Sequence, residues 1–281
     1  NYSYTAANSC SNTASTSIIV SSIPSVNAGT YSAVCTNSSA ITLSGTPAGG
    51  TFSGTGVTGN SFNPAVGAGT YTINYVYSNG SCSNSASTTI VVNAGPTVNA
   101  GSYSPTCTNS GTVALSGTPA GGTFSGTGVS GSTFNPSVGA GTYTITYTYN
   151  NGTCSSSAST TIDVYSAPAA NAGTYNAVCT NSASVALTGS PTGGTFTGTG
   201  VTGNSFNPAV GAGTYTINYS YTNANGCVSS ASTTISVNTP PTVSAGTYAA
   251  VCDNGGLVTL SGTPAGGTFS GTGVTGNSFN P

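Results

Sequence analysis

The segment TYTINYVY, residues 70–77, alternates without a break. Tyr71, Ile73, Tyr75 and Tyr77 fall on one face of an extended chain, and Thr70, Thr72 and Asn74 on the other. Period two is the mark of a half-buried strand. After the tight turn SNG, the segment SASTTIVV (85–92) alternates again and predicts the hairpin partner. Upstream, AITLSG (40–45) sets Ile41 and Leu43 among small or polar residues. GGTFSG follows a Pro-Ala-Gly-Gly turn, and NSFNP adds another short strand. No window carries helical spacing.

This pattern recurs. NAG begins at Asn27, Asn99 and Asn171, and SAG at Ser244, in steps of 72, 72 and 73 residues. The extra residue falls in a loop, where SNGSC and NNGTC become TNANGC. Pro24, Pro96, Pro168 and Pro241 open the units. Complete repeats therefore occupy 24–95, 96–167 and 168–240. Residues 1–23 read as the C-terminal strands of a preceding repeat, and 241–281 as the N-terminal part of a further one, a window on a longer array.

About 72 residues with strands this close predict an all-β Greek-key sandwich, most like an immunoglobulin domain. GAGTYTI supports this, because Gly-x-Tyr before a strand resembles a tyrosine corner. The units abut through joints such as VVNAGPTV and SVNTPPTV. Short, proline-containing joints predict an elongated rod.

Composition narrows the chemistry. The chain has no Lys, Arg or His and two acids, Asp163 and Asp253. General acid–base catalysis, nucleophilic triads and His- or carboxylate-rich metal sites all need residues that are missing. The reading is therefore not an enzyme, with no cofactor and no metal. A chain without basic residues also has nothing to track phosphates, so no nucleic acid is expected as a partner. Lys–Asn isopeptide reinforcement is closed as well. No stretch approaches the ~18 apolar residues of a membrane span.

Covalent reinforcement is left to eight cysteines. Each complete repeat has one before its first core strand (Cys35, Cys107, Cys179) and one after its long tyrosine-rich strand (Cys82, Cys154, Cys227); Cys10 and Cys252 belong to the flanking segments. No C-x-x-C pair exists, so disulfides in an oxidising setting are the natural reading. In an immunoglobulin topology, Cys35 and Cys82 lie at opposite ends of one domain, separated by roughly 25–30 Å of strand. A head-to-tail array instead brings Cys35 to Cys154 and Cys107 to Cys227, between neighbouring repeats. Cys10, Cys82, Cys179 and Cys252 then have partners outside these residues. One bridge within each repeat, Cys35–Cys82 and its equivalents, is the alternative.

Other features have plainer explanations. Tyr71, Tyr75, Phe52 and Phe62 read as core rather than a sugar-stacking row. Tyr31, Tyr103, Tyr175 and Tyr248 follow the joints and are expected to pad them. The Gly-x-Gly-x-x-Gly run at Gly54–Gly59 precedes no helix, so its glycines are turn residues. Asn79-Gly-Ser and Asn151-Gly-Thr are sequons in form.

GTFSGTGVTGNSFNP, GAGTYTINYVY and the NGC-containing hairpin resemble immunoglobulin-like repeats of giant Bacteroidota cell-surface adhesins, including SprB-type gliding-motility adhesins. The resemblance covers the whole chain. It implies type IX secretion, an extracellular location at the cell surface, and a structural part in a very long adhesive filament serving gliding motility and surface attachment. Implied partners are neighbouring repeats, the secretion and motility machinery, and surface polysaccharide or a solid substratum gripped through other regions. No catalytic or ligand residue carries over. Two other readings stand beside it: passive spacer repeats of a multidomain secreted enzyme, or a subunit of a self-assembling extracellular fibre.

Overall fold

The computed structural model describes residues 1–281. It separates into two compact units, Asn1–Val164 and Tyr165–Pro281.

The first unit opens with a small exposed hairpin, β1 (Tyr2–Thr5) and β2 (Ser11–Ala14), paired from Tyr2↔Ala14 to Thr5↔Ser11. Seven strands follow: β3 (Val34–Cys35), β4 (Ile41–Thr42), β5 (Thr51–Ser53), β6 (Val57–Thr58), β7 (Ser61–Phe62), β8 (Gly69–Ser78) and β9 (Ser83–Asn93). They form two sheets. One has the order β3-β9-β8-β5, the other β4-β7-β6. Within the first sheet, β3 runs parallel to β9, while β8 is antiparallel to both β9 and β5. An isolated antiparallel bridge, Asn27↔Thr46, ties the start of the repeat to the segment just beyond β4. This is the immunoglobulin arrangement of two facing sheets with the first strand shared between them.

The alternation of β8 and β9 explains the core. Ile73 and Tyr75 on β8 and Ile90 and Val92 on β9 are buried, while their neighbours face outward. Phe62 from β7 and Leu43 beyond β4 close the other side. Phe52 packs on Tyr75 with ring centroids 4.4 Å apart, and Phe62 on Tyr71 at 5.6 Å. Buried Tyr75 keeps its hydroxyl satisfied: it donates to Pro47 O and accepts from the Gly50 N–H at 2.8 Å. Two glycines make room for that ring. A Cβ on Gly45 would lie 2.6 Å from Tyr75 Cδ1, and one on Gly50 would lie 2.5 Å from its Cζ.

The approach to β8 is built from local rules. Asn63 caps a one-turn 3₁₀ helix, Pro64–Val66, by accepting from the Ala65 N–H at 3.1 Å. Gly67 then turns the chain at φ 116°, and Tyr71 Oη donates back to its carbonyl at 3.0 Å. That bond is the tyrosine corner. Its counterparts are Tyr143 to Gly139 O and Tyr215 to Gly211 O, both at 3.1 Å.

The same strand set recurs from Thr106–Cys107 to Ser155–Tyr165, all but its last residue in the first unit, and in the second from Val178–Cys179 to Val228–Asn238. The second unit ends in a three-stranded sheet of Val258–Thr259, Ser278–Phe279 and Val274–Thr275. The chain is thus all-β, a tandem series of immunoglobulin-like sandwiches. The strand β6 is an addition to the sequence reading, which took NSFNP alone from that region.

The tyrosines expected at the joints behave differently. Tyr31 packs against the core of its own repeat. Its hydroxyl donates to Ala28 O at 3.0 Å and accepts from the Ser44 N–H at 3.0 Å. It stitches the first strand to the second sheet. Tyr103 and Tyr175 make the same bonds. The reason is the turn at Gly29 (φ 84°), which folds the ring back over residue 28 rather than forward to the joint.

Candidate functional site

The clustered non-core side chains of this chain gather where one repeat meets the next. At the joint inside the first unit, three segments converge: the turn after β3, the end of β9 with its connector, and the hairpin turn Asn150–Cys154 of the following repeat.

The turn after β3 is fixed first. Parallel pairing aligns Val34 with Val92 and Cys35 with Asn93. Thr36 N–H continues the ladder to Asn93 O at 2.9 Å. Ser38 closes the turn, its N–H on Cys35 O at 2.9 Å and its Oγ accepting from Cys35 N–H at 3.2 Å. Thr36 Oγ1 accepts from the Gly95 N–H at 3.0 Å, which pins the connector to the same turn.

The hairpin turn of the next repeat is organised by an asparagine. Asn151 Oδ1 accepts from the N–H groups of Thr153 and Cys154, at 3.0 and 2.8 Å. Its own N–H donates to Cys154 O at 3.1 Å, and Gly152 turns at φ 91°. The result aims Cys154 inward, and it is 1% exposed. Asn79 does the same for Cys82, and Asn223 for Cys227. The two sequon asparagines therefore serve as turn organisers.

These two turns meet. Cys35 and Cys154 form a disulfide, with Cα atoms 5.8 Å apart and a sequence separation of 119. Beside it, Asn37 Nδ2 donates to Ser155 O at 2.8 Å and to Ser156 Oγ at 3.2 Å. Gly95 lies under this contact. A Cβ there would stand 3.3 Å from Asn37 Cγ and 3.4 Å from Ser156 Oγ. Nothing in the sequence singled out Asn37 or Gly95: Asn37 bonds to another repeat, and Gly95 packs against that contact while bonding to Thr36, 59 residues away in its own repeat.

Two of the hairpin turns also clasp the chain that enters their own repeat. Asn79 Nδ2 donates to Ser22 O at 3.3 Å, and Asn84 Nδ2 to Pro24 O at 2.9 Å. In the second unit, Asn223 Nδ2 donates to Ser166 O at 2.9 Å. Both asparagine-to-serine bonds span 57 residues, so the same clasp is made in two of the repeats.

The remaining cysteines divide. Cys107 and Cys227 are disulfide-bonded. Cys10, Cys82, Cys179 and Cys252 are free thiols, with Cys82 and Cys179 half-buried and Cys10 and Cys252 exposed. Asp163 takes a hydrogen bond from Thr142 Oγ1 at 2.6 Å on the outer face of the sheet. Asp253 lies exposed in the second unit. At the joint the arrangement holds one repeat to the next, and its side-chain amides are spent mostly on backbone partners.

No described protein family and no curated protein matches the chain. Among solved structures it is similar to titin domains I67–I69, at 15% identity over 74% of this chain and 95% of that one, with a TM-score of 0.28. It is similar to insect hemolin, at 12% identity over 76% of each chain and a TM-score of 0.25. It is similar also to the Bacteroides ovatus glucan-utilisation protein SGBP-B, solved with a mixed-linkage heptasaccharide, at 16% identity over 82% of this chain and 71% of that one, with a TM-score of 0.19.

Proposed function

We propose that this chain is a structural stretch of a very long extracellular adhesive filament, divided into repeats at 24–95, 96–167 and 168–240 with partial repeats at 1–23 and 241–281. The observation that carries the reading is the joint. A structural array needs its junctions reinforced, and Cys35–Cys154 joins two repeats covalently while Asn37 bonds to the following repeat at Ser155 and Thr36 holds the connector at Gly95. Disulfides fit an oxidising compartment and so an extracellular place of work. The second bond of the series is proposed as Cys107–Cys227.

The repeats serve as the shaft, and other regions grip polysaccharide or a solid substratum. In this reading the filament stands on the surface of a Bacteroidota cell, leaves by type IX secretion and serves gliding and attachment. Deletion of the gene, scored for colony spreading and for attachment to glass, is the test. Loss of either function is the expected result, and unchanged behaviour in both overturns the reading.

A further inference from the structure

The cysteine spacings divide the chain into two kinds of segment. Cys10 to Cys35, Cys82 to Cys107, Cys154 to Cys179 and Cys227 to Cys252 are each 25 residues apart. The intervening stretches, Cys35 to Cys82, Cys107 to Cys154 and Cys179 to Cys227, are 47, 47 and 48 residues. The one-residue insertion thus falls in a long stretch, never in a short one. The short segments hold the last strand of one repeat, the connector and the first strand of the next. The long ones hold everything between.

We propose that bonds of the Cys35–Cys154 kind, repeated along the array, make it a covalent ladder whose two rails carry tension while the bulk of each sandwich hangs between them as a rung. Follow a pull from the N-terminal side. It reaches Cys35 along the first strand, crosses the disulfide to Cys154, and continues along Ser155–Tyr165 into the next connector. The residues between Cys35 and Cys154 are off that path. The other rail enters at Cys82, runs along β9 and crosses the connector to Cys107. The rails touch where β3 and β9 lie parallel, with Cys35 opposite Asn93. Every joint is then crossed twice, once by peptide and once by sulfur.

The rails have little slack. A strand such as β9, which makes up eleven residues of its rail, already rises about 3.3 Å per residue against a ceiling near 3.6 Å, so it can lengthen by only roughly a tenth. A rung can unfold without lengthening the array at all. That explains why the insertion is tolerated in a rung: its length is not part of the load path. The load path is the same whatever the filament adheres to.

The test is optical-tweezers extension of the full 281-residue chain, held by tags at its two ends. In a Cys107→Ser, Cys227→Ser variant only Cys35–Cys154 remains. Reduced, each complete repeat releases a step of about 21 nm, the length of an extended ~72-residue chain less its folded span. Oxidised, two of the three steps disappear, and the fully extended chain is shorter by about 42 nm, the contribution of 119 residues at ~3.5 Å. Three full steps in the oxidised chain overturn the proposal. So does a shortening of about 16 nm, the value for a Cys35–Cys82 bridge. Should that variant fail to fold, Cys82→Ser with Cys179→Ser substitutes thiols that are free in the structure. The oxidised length must then match the unsubstituted chain, and a lengthening of about 33 nm overturns the ladder.

Discussion

The side-chain amide of Asn37 donates to the backbone carbonyl of Ser155, 118 residues further along, at 2.8 Å. A second bond reaches Ser156 Oγ at 3.2 Å. Both lie at the exposed rim of the joint, where a neutral hydrogen bond contributes about 0.5–1.5 kcal/mol net. Asn37→Ala should therefore leave each sandwich folded but loosen the junction by roughly 1 kcal/mol. Hydrogen exchange checks this. Amides of Asn93 to Gly95 and of Asn151 to Ser155 should exchange faster, while those in the centre of β8 keep their protection. Uniformly faster exchange across the repeat would contradict a role confined to the joint.

Tyr75 and Tyr71 offer a matched pair. Tyr75 is 1% exposed, and its hydroxyl bridges Pro47 O and the Gly50 N–H. Tyr75→Phe keeps the ring but strands a buried donor and acceptor, at a cost of about 1–3 kcal/mol. Tyr71 is half-buried and makes one bond, to Gly67 O. Tyr71→Phe should cost less, about 0.5–1.5 kcal/mol. Urea midpoints of the two variants, with unchanged slopes, give the comparison; an equal or reversed order refutes it.

The glycines around the same ring separate close packing from turn geometry. A Cβ on Gly45 would collide with the Tyr75 ring at 2.6 Å, while Gly49 has open space around it and φ 95°. Gly45→Ala should displace the ring and cost on the order of 3 kcal/mol, as overpacking of a filled core does. Gly49→Asn, which tolerates positive φ, should cost under about 1 kcal/mol. Thermal unfolding followed by near-ultraviolet tyrosine circular dichroism reads both. A Gly45→Ala protein with unaltered tyrosine signal would show the slot to be roomier than described.

The contrast between these residues also marks what the sequence could reveal. The hairpin of β8 and β9 was legible because long runs of alternating residues leave one choice of face, and the tyrosine corner because Tyr71 follows Gly69 in a Gly-x-Tyr step before a strand, although the acceptor of its bond is the carbonyl of Gly67. The strand β6 was not legible: two residues, Val57–Thr58, carry no period and pair only because β7 lies beside them. Tyr31 was misplaced because its direction depends on one glycine's φ, not on its distance from the joint. Asn37 and Gly95 were invisible for a different reason. Asn37 bonds to Ser155 and Ser156 of another repeat, Gly95 bonds to Thr36 and packs beneath that contact, and composition says nothing of such distant pairs.

Electrostatics should contribute almost nothing to stability. With no Lys, Arg or His, and two acids in different repeats, there are no ion pairs for salt to screen. Raising sodium chloride from 10 to about 150 mM shortens the Debye length from roughly 30–40 Å to 8 Å, yet the melting temperature should move by less than about 1 °C. Sulfate should raise it, because exclusion from apolar surface acts on burial rather than charge. A strong response to sodium chloride would mean that charge interactions hold the repeats, and would refute this expectation.

The bond between Cys35 and Cys154 closes a loop with a sequence separation of 119. Constraining an unfolded chain over about 100 residues stabilises the native state by up to about 4–5 kcal/mol in the chain-entropy picture. Cys35→Ser with Cys154→Ser should therefore lower the unfolding free energy of the two joined repeats by several kcal/mol, and the Asn37→Ala effect should grow in that background, because Asn37 then holds the joint without the covalent bond. Connectivity itself is read by peptide mapping. Trypsin has no site in a chain without Lys or Arg, whereas chymotrypsin cuts at its tyrosines and phenylalanines. Digestion without reductant should give a crosslinked pair containing Cys35 and Cys154 and leave Cys82 open to alkylation. Recovery of Cys35 joined to Cys82 would place the bridge inside one repeat and remove the covalent tie between neighbours.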